Sequence, residues 1–292
     1  MKQYLELLQD ILDHGSVRKD RTGTGTISVF GRQMRFENVG DRFPLVTTKK
    51  MFTRGAIGEM LWFISGSTDV NVLKEQNIHI WDEWQKADGT IGDGYGAQFR
   101  RWRAIELKDK KRGASVHRRL SSREDCEHLA LAEYDQLAEA IRLIKEDPYS
   151  RRIIVSFWHV DQIDDMALPP CHFCHQYYVG GVDMDELSMH LNIRSSDTFL
   201  GLPFNIAQYA ALLMMVAQVT GKKAKDLVVT LGDAHIYLNH VEQVKEQLSR
   251  VPYVLPVMRI NEEVTSIDDF KIEDFTLDGY QCHPAIKGEV SV

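Results

Sequence analysis

The longest apolar segment of the sequence, residues 202–219, sets the strongest limit on what this chain can fold into. A segment that is apolar on every side has to be buried in lipid or in a protein core. Three amide side chains, Asn205, Gln208 and Gln218, interrupt it, and they would lack partners in lipid. We therefore predict a helix over residues 205–219 that is buried in a folded protein. A chain of 292 residues can supply that core, since chains of this size bury about 75% of their unfolded surface.

Composition places the chain among ordinary globular proteins. Hydrophobic residues make up 43% and charged residues 26% of it, which excludes disordered, collagen-like and transmembrane classes. The net charge of −7 argues against a general nucleic-acid surface, so any anion site must consist of a few arginines. Four cysteines are too few for a disulfide scaffold, and the amphipathic first 15 residues do not resemble a signal peptide. We expect a cytoplasmic protein with reduced thiols, no nucleic-acid partner and no membrane association.

Hydrophobic periodicity indicates one α+β domain over residues 1–292. The pattern predicts strands over residues 152–158, 176–179, 187–193 and 227–231. Residues 24–36 are predicted to form either a strand pair or one long bent strand, with a bulge at Gly31. It predicts helices over residues 57–64, 127–145, 205–219 and 236–248. Residues 86–96 contain four glycines and are predicted to form a loop. Residues 103–126 carry eight Lys or Arg residues, which predicts an exposed insertion, either a solvated loop or a partner-binding arm.

The first candidate for chemistry is Cys171, in the segment CHFCH at 171–175. This segment matches a haem-attachment pattern and half of a zinc site, but nothing suggests export and a second close pair of metal ligands is missing. Two interpretations remain, a buried structural thiol and a nucleophile. Two prolines precede Cys171 and a strand follows it, which would hold the thiol exposed at the edge of a pocket. A nearby guanidinium would lower the pKa of such a thiol.

Arginines beside serines are candidate phosphate sites, because a guanidinium offers a planar fork of donors and a hydroxyl adds another. Such pairs occur at residues 150–152 and 194–195, and Arg21 lies in a glycine-rich loop at 20–26. The alternative for each is an ordinary surface charge. Asn205 either caps a helix or presents its amide to a base. His235 and Tyr237 are either core residues or a pair that binds sugar hydroxyls.

Segments along nearly the whole chain resemble the motifs of the thymidylate synthase family, in the family's order. They are DRTGTGT at 20–26, FPLVTTKK at 43–50, GEMLWFISGST at 58–68, IWDEW at 80–84, YGAQFR at 95–100, SRRII at 150–154, ALPPCH at 167–172, RSSDTFLGLPFNIAQYA at 194–210, LGDAHIYLNH at 231–240 and GYQCHPAIKGEVSV at 279–292. Residues at about 103–130 lie outside them, where family members vary in length. The resemblance implies an α+β fold with a large mixed sheet packed against helices, paired back to back in a homodimer.

The resemblance also implies an activity, in which dUMP receives a one-carbon unit and a hydride from 5,10-methylenetetrahydrofolate without a metal. The Cys171 thiolate would add to C6 of uracil and make C5 nucleophilic. Arg194 would lower the thiol pKa and bind phosphate, and Asn205 would bind the N3–H and O4 edge of uracil. Glu59 would organise water for proton transfer at O4, and Tyr95 would assist removal of the C5 proton.

The remaining site residues follow from the same resemblance. The phosphate and deoxyribose of dUMP would be bound by Arg21, Arg194, Ser195, His235 and Tyr237. Arg151 and Arg152 would reach the phosphate from the partner subunit. Lys49 would bind the glutamate tail of the folate, and Trp81 and Trp84 would flank its rings. Asp197 would bond the pterin ring where it adjoins dUMP, so it is assigned to both the folate site and the dUMP site. The C-terminal Val292 would close over the pocket.

Some positions depart from the family pattern. The loop at residues 92–96 lacks the usual proline, which would loosen it, and His159 replaces an asparagine. The pair Asn192-Ile193 before Arg194 resembles the pyrimidine hydroxymethylases, in which water rather than hydride captures the methylene intermediate. The alternative activity is therefore that of a dUMP hydroxymethylase. The uracil-binding amide of Asn205 and the complete C-terminal motif favour a thymidylate synthase.

Overall fold

The computed structural model describes residues 1–107 and 129–291. The described helices are α1 (Lys2–His14), α2 (Thr53–Ile64), α3 (Asn71–Lys74), α4 (Tyr95–Arg100), α5 (Gln136–Glu146), α6 (Gly201–Val219) and α7 (Val241–Leu248). The described strands are β1 (Ser16–Arg18), β2 (Thr26–Phe36), β3 (Trp102–Leu107), β4 (Leu129–Tyr134), β5 (Ile154–Ser156), β6 (His172–Gly180), β7 (Glu186–Asp197), β8 (Lys223–Tyr237), β9 (Val257–Ile260) and β10 (Phe275–Asp278). Short 3-10 turns lie at Asp82–Trp84, Val160–Asp165, Leu238–His240 and Ile272–Asp274.

A six-stranded sheet in the order β1-β2-β8-β7-β6-β5 forms the centre of the fold. Its neighbouring strands are antiparallel except β7 and β8, which run parallel. A parallel pair needs a crossover connection, and α6 provides it. The prediction of an α+β fold with a large mixed sheet packed against helices is confirmed. The strands predicted over 152–158, 176–179, 187–193 and 227–231 correspond to β5, β6, β7 and β8.

Helix α6 contains the long apolar segment of the sequence. In the described part of the chain it is the one helix long and apolar enough to cross a membrane, and 78% of its most apolar window is buried within the protein. It packs against α2, β7 and β8, and Leu212, Leu213 and Met215 have no exposed surface. The prediction of a buried core helix is confirmed.

The two faces of the central sheet differ in burial. Along β7, buried residues alternate with half-exposed ones, and the buried residues are Leu187, Met189, Leu191 and Ile193. This alternation is typical of a sheet whose core lies on one side. On the opposite face, Tyr178 of β6 is 70% exposed and Ile154 of β5 is 45% exposed. The sheet therefore presents large apolar side chains on the face that points away from the core.

The predicted helix over 127–145 is wrong in its first part. Residues Leu129–Tyr134 form β4, which pairs antiparallel with β3. The side chain of Asp135 then accepts a hydrogen bond from the backbone N–H of Ala138 at 2.9 Å and caps α5. Pairing with β3 therefore holds this segment extended until the capped turn allows a helix. Residues 108–128, most of the predicted insertion, lie outside the described residues, and β3 and β4 form its paired base.

The predicted helix over 236–248 begins too early, because Ile236 and Tyr237 belong to β8. Their ladder with β2 continues to the pair Thr26 and Tyr237, and a helix starts only at Val241. His235 and Tyr237 therefore lie two residues apart on one side of a strand. The same ladder has an unbroken register on both sides of Gly31, so the predicted bulge there is wrong, although Gly31 has a φ of +70°.

Candidate active site

Cys171 lies immediately before β6, and its main chain is fixed from two sides. Its N–H donates to the Tyr95 hydroxyl at 2.9 Å, and its carbonyl accepts from the N–H of Arg194 at 2.8 Å. The residue is partly exposed. Residues of α4 and β7, together with the start of β6, therefore jointly fix the position of Cys171.

The guanidinium of Arg194 is oriented by two main-chain carbonyls. Its Nη2 donates to Pro169 at 2.9 Å and its Nε to Pro170 at 3.0 Å. Burial raises the pKa of the Cys171 thiol, and the charges of Arg194 and Arg21 oppose this only in part. The expectation of a lowered thiol pKa is therefore wrong for the protein without ligand, because desolvation outweighs the two cations.

The arginines predicted for phosphate binding divide into two groups. Arg21 is exposed on the loop before β2, and its charge acts on both Cys171 and Tyr237. Arg151 and Arg152 are exposed beside the edge strand β5. The structure therefore brings the charge of Arg21 to bear on the cysteine, whereas Arg151 and Arg152 lie at the edge of the sheet.

A chain of polar contacts orients His235. Arg18 donates to Asp233 at 2.7 Å, and the other Asp233 oxygen lies 3.0 Å from Nδ1 of His235. The contact with His235 is the main reason that the pKa of Asp233 is lowered. The His235 ring lies edge-on to Tyr237 at 5.1 Å, and Ser195 pairs with Asp233 across β7 and β8. Sequence reasoning missed Asp233, although its i, i+2 spacing from His235 on a strand would have indicated it.

Glu59 is positioned by the packing of α2 against α6. Its Oε1 accepts from the Trp81 indole N–H at 2.6 Å, and its Oε2 accepts from the side-chain amide of Gln208. Burial raises the pKa of Glu59 to about 7, and these two hydrogen bonds oppose the shift only in part. Near neutral pH the carboxyl group therefore exists in both protonation states, as a proton-transfer group requires.

Asn205 lies inside α6 and does not cap it. The N-cap position of α6 is Leu200, which makes no side-chain cap, and Oδ1 of Asp197 orders the turn before it by accepting from the backbone N–H groups of Phe199 at 2.9 Å and Leu200 at 3.1 Å. The Nδ2 of Asn205 donates instead to Oε1 of Gln208 at 3.3 Å. Gln208 has 0% exposed surface. Sequence reasoning missed it as a site residue, although it is one of the polar interruptions in the apolar segment.

Tyr95 is the residue on which the candidate catalytic groups converge. Its ring is 2% exposed and stacks on His172 at 4.3 Å. Burial raises the pKa of Tyr95 well above its usual value, and the charges of Cys171, Glu59 and Arg194 also act on it. The thiol, the carboxyl group and the guanidinium therefore all lie within electrostatic range of this hydroxyl.

The loop at residues 92–94, just before α4, is held in place although it lacks a proline. The Asp93 carboxylate accepts from Arg103 at 2.9 Å, and its carbonyl accepts from Gln98 at 2.7 Å. Gly92 has a φ of +70°, and a Cβ there would lie 2.3 Å from the carbonyl oxygen of Asp165. Arg103, at the base of the insertion, and Gln98 therefore brace this loop in the absence of a proline.

The residues predicted to bind the folate differ in how far their side chains are exposed. Trp81 is 6% exposed, and the partly exposed Trp84 lies edge-on to it at 5.9 Å. Lys49 is 4% exposed, and its ammonium donates to the carbonyl of Phe199, 3.7 Å from the centre of that ring. Burial lowers the pKa of Lys49 to about 8, and Asp197 opposes this shift. The Lys49 ammonium therefore lies in the interior against Phe199, and its contact with a glutamate tail stays a prediction.

The C-terminal segment packs against the body of the protein. Val292 itself lies outside the described residues. The ring Nε2 of His240 lies 2.8 Å from the carbonyl oxygen of Glu289, and Thr24 donates to Ser291 at 3.4 Å. The end of the chain therefore meets the glycine-rich loop that carries the exposed arginine of the site.

Cys174 and His175 belong to the CHFCH segment, which matched metal-site patterns in sequence, and they differ in burial. His175 has 0% exposed surface, whereas Cys174 is partly exposed. Within residues 1–107 and 129–291, no group of three or more His, Cys, Asp or Glu side chains could hold a metal ion.

A Glu59→Gln variant is expected to be stabilised relative to the wild type at about pH 8.5 but not at about pH 5. The pKa of Glu59 is about 7 in the fold against an ordinary 4.5, so the folded protein holds this proton more tightly than the unfolded chain. That stability is present at low pH and is lost as the pH rises through 7. We expect the variant-minus-wild-type unfolding free energy to rise by about 2 kcal/mol across this range, after allowance for partial exposure. Denaturant unfolding at both pH values measures it, and a pH-independent difference would contradict the raised pKa.

A comparison with protein-family models covers the chain from end to end. The family model described as "Thymidylate synthase" matches residues 2–292. The matched span includes every residue that the resemblance assigned to the site.

Proposed function

The chain belongs to the thymidylate synthase family, and we propose that it converts dUMP to dTMP by reductive methylation. Members of this family are enzymes that bind dUMP and use methylenetetrahydrofolate as co-substrate. The observation that carries the proposal is the position of Cys171, whose N–H donates to the Tyr95 hydroxyl at 2.9 Å and whose carbonyl accepts from the N–H of Arg194 at 2.8 Å, with Glu59 within electrostatic range of the same hydroxyl. The reaction needs a nucleophile, a proton-transfer group and a cation for the phosphate within the length of one nucleotide.

Cys171 supplies the nucleophile. Its thiolate forms a bond to C6 of uracil, and the electron pair of the C5–C6 double bond moves towards O4 to give an enolate. C5 of the enolate then bonds to the one-carbon unit of 5,10-methylenetetrahydrofolate, and the bond from that carbon to the folate nitrogen breaks after the C5 proton has left. Hydride from the same folate completes the methyl group, and the C6–S bond breaks to release Cys171. Because burial raises the thiol pKa, the sulfur first has to lose its proton to water, and Arg194 and Arg21 stabilise the thiolate that remains.

Two buried groups handle protons around the pyrimidine. Glu59, with a pKa of about 7, donates towards O4 as the enolate forms and accepts the proton back when the enolate collapses. Tyr95 stays a neutral phenol because burial raises its pKa well above the usual value. It therefore positions a water that removes the C5 proton and does not act as the base itself.

The nucleotide is held at both ends. Arg194, Arg21 and Ser195 bind the phosphate, since a guanidinium and a hydroxyl match its oxygens. His235, which is fixed by Asp233, binds the 3′-hydroxyl of deoxyribose together with Tyr237, which lies on the same side of β8. At the base, the amide of Asn205 accepts from N3–H and donates to O4 of uracil.

The braced loop before α4 favours hydride over water as the final reactant. Trp81 and Asp197 bind the folate ring above the pyrimidine, and the C-terminal segment, anchored on His240, excludes water. The pair Asn192-Ile193 resembles the corresponding pair of the hydroxymethylases in sequence. Its second residue, Ile193, is 1% exposed in the core and brings no polar group to the pocket.

Mass spectrometry of the nucleotide formed from dUMP and 5,10-methylenetetrahydrofolate tests the proposal. We expect dTMP and an equal amount of dihydrofolate, because hydride transfer oxidises the folate. A Cys171→Ser protein is the control and should form neither. Formation of 5-hydroxymethyl-dUMP without dihydrofolate would overturn the proposal and identify a dUMP hydroxymethylase.

The same proposal includes a cytoplasmic homodimer whose subunits pair through the exposed face of the central sheet. Tyr178 and Ile154 support it, because they present apolar surface there. Arg151 and Arg152 lie exposed beside the edge strand of this sheet. In the dimer they bind the phosphate in the partner's site.

A further inference from the structure

Four side chains near the start of α6 and on the elements packed against it form a directed series of hydrogen bonds. The Asn205 amide nitrogen donates to the Gln208 oxygen at 3.3 Å, and the Gln208 nitrogen donates to Glu59. The other Glu59 oxygen accepts from Trp81 at 2.6 Å. Asn205 and Gln208 are three residues apart on α6, so they lie on the same side of the helix.

The hydrogen-bonding chemistry of Glu59 sets the direction of all three hydrogen bonds in this series. An ionised carboxylate can only accept hydrogen bonds, and an indole can only donate one. Gln208 must therefore turn its NH2 group to Glu59, which leaves its oxygen facing Asn205. Asn205 in turn must direct its NH2 group to Gln208. Because Gln208 has 0% exposed surface, solvent does not compete for these contacts.

This direction determines which pyrimidine the site accepts. A freely rotating amide at Asn205 could match uracil in one orientation and cytosine in the other, because N3 and the group at C4 exchange donor and acceptor roles between the two bases. We propose that Gln208 is a specificity-determining residue, which locks the Asn205 amide in the orientation that binds uracil by relaying the acceptor character of Glu59. This inference rests on the proposed function, since it assumes that Asn205 contacts the base of dUMP.

A Gln208→Met variant tests the relay directly. Methionine has a similar shape but makes neither hydrogen bond, so Asn205 becomes free to reverse. We expect the preference for dUMP over dCMP, measured as the ratio of dissociation constants by calorimetry, to fall about tenfold or more. The measurement is made at about pH 8.5, so that Glu59 is mostly ionised. Gln247→Met is the matched control, because Gln247 is also 0% exposed but bonds Thr48 at 3.0 Å, and its ratio should not change.

An exchange of the two groups gives a second, independent test. In a Glu59→Gln protein, Trp81 still requires an acceptor, so the new amide turns its NH2 group towards Gln208. Gln208 and Asn205 must then both reverse, which moves the preference towards dCMP. Adding Gln208→Glu places a carboxylate between two amides, and Asn205 again donates to it. The double variant should therefore recover the dUMP preference to within about threefold of the wild type, although it lacks turnover.

Nucleotide binding separates failure of this inference from failure of the proposed function. If the wild type prefers dUMP and the Gln208→Met ratio stays within about twofold of it, the relay is overturned and the function stands. The relay is also overturned if Gln208→Glu does not recover the preference lost in Glu59→Gln. A wild type without preference for dUMP over dCMP overturns both.

Discussion

A Cys171→Ser variant is expected to lose at least about 10⁴-fold in turnover of dUMP, because the nucleophile that opens the reaction is removed. Serine is a poor nucleophile here, because its hydroxyl ionises far less readily than a thiol. Binding of dUMP should survive, because Arg194, Ser195 and Asn205 remain in place. Steady-state kinetics and calorimetry on the same protein measure the two effects separately.

Cys174→Ser is the matched control for this variant. Cys174 lies three residues further along, in β6, and is also partly exposed. It pairs with Ser156 and Asn192 in the sheet, so its loss should change turnover less than about threefold. An active Cys171→Ser protein beside an inactive Cys174→Ser protein would contradict the assignment of the nucleophile.

Mixing two inactive proteins is expected to restore activity if the site is shared between subunits. One protein carries Cys171→Ser and the other carries Arg151→Ala and Arg152→Ala. Random pairing makes half of the dimers mixed, and each mixed dimer has one site with the cysteine and both arginines intact. After subunit exchange, the specific activity should therefore reach about one quarter of the wild-type value.

Subunit exchange must be demonstrated in the same sample, for example by native mass spectrometry with one subunit tagged. A mixture of the Cys171→Ser protein with wild type calibrates the assay. Half of its sites contain an intact cysteine, and this fraction does not depend on subunit exchange. If mixed dimers form and the activity remains at the level of the separate proteins, Arg151 and Arg152 do not serve a partner's site.

Local patterns in the sequence determined much of the fold. The apolar run that became α6 and the alternating strands β6 and β7 could be predicted because their periods match helix and sheet geometry. The wrong helix boundaries at 127–145 and 236–248 share one cause. Both segments are held extended by strands distant in sequence, β3 and β2, and such pairing overrides local propensity.

Motif order and residue type identify the family and the candidate residues, because both are properties of the linear chain. The protonation and burial of those residues depend on the folded protein. Burial raises the pKa of Cys171 despite two nearby arginines, and it places Lys49 in the interior. Packing of α2 on α6 joins Glu59 to Gln208 across 149 positions. Desolvation and long-range hydrogen bonds depend on which atoms surround a group, and a linear sequence does not specify those neighbours until the chain has folded.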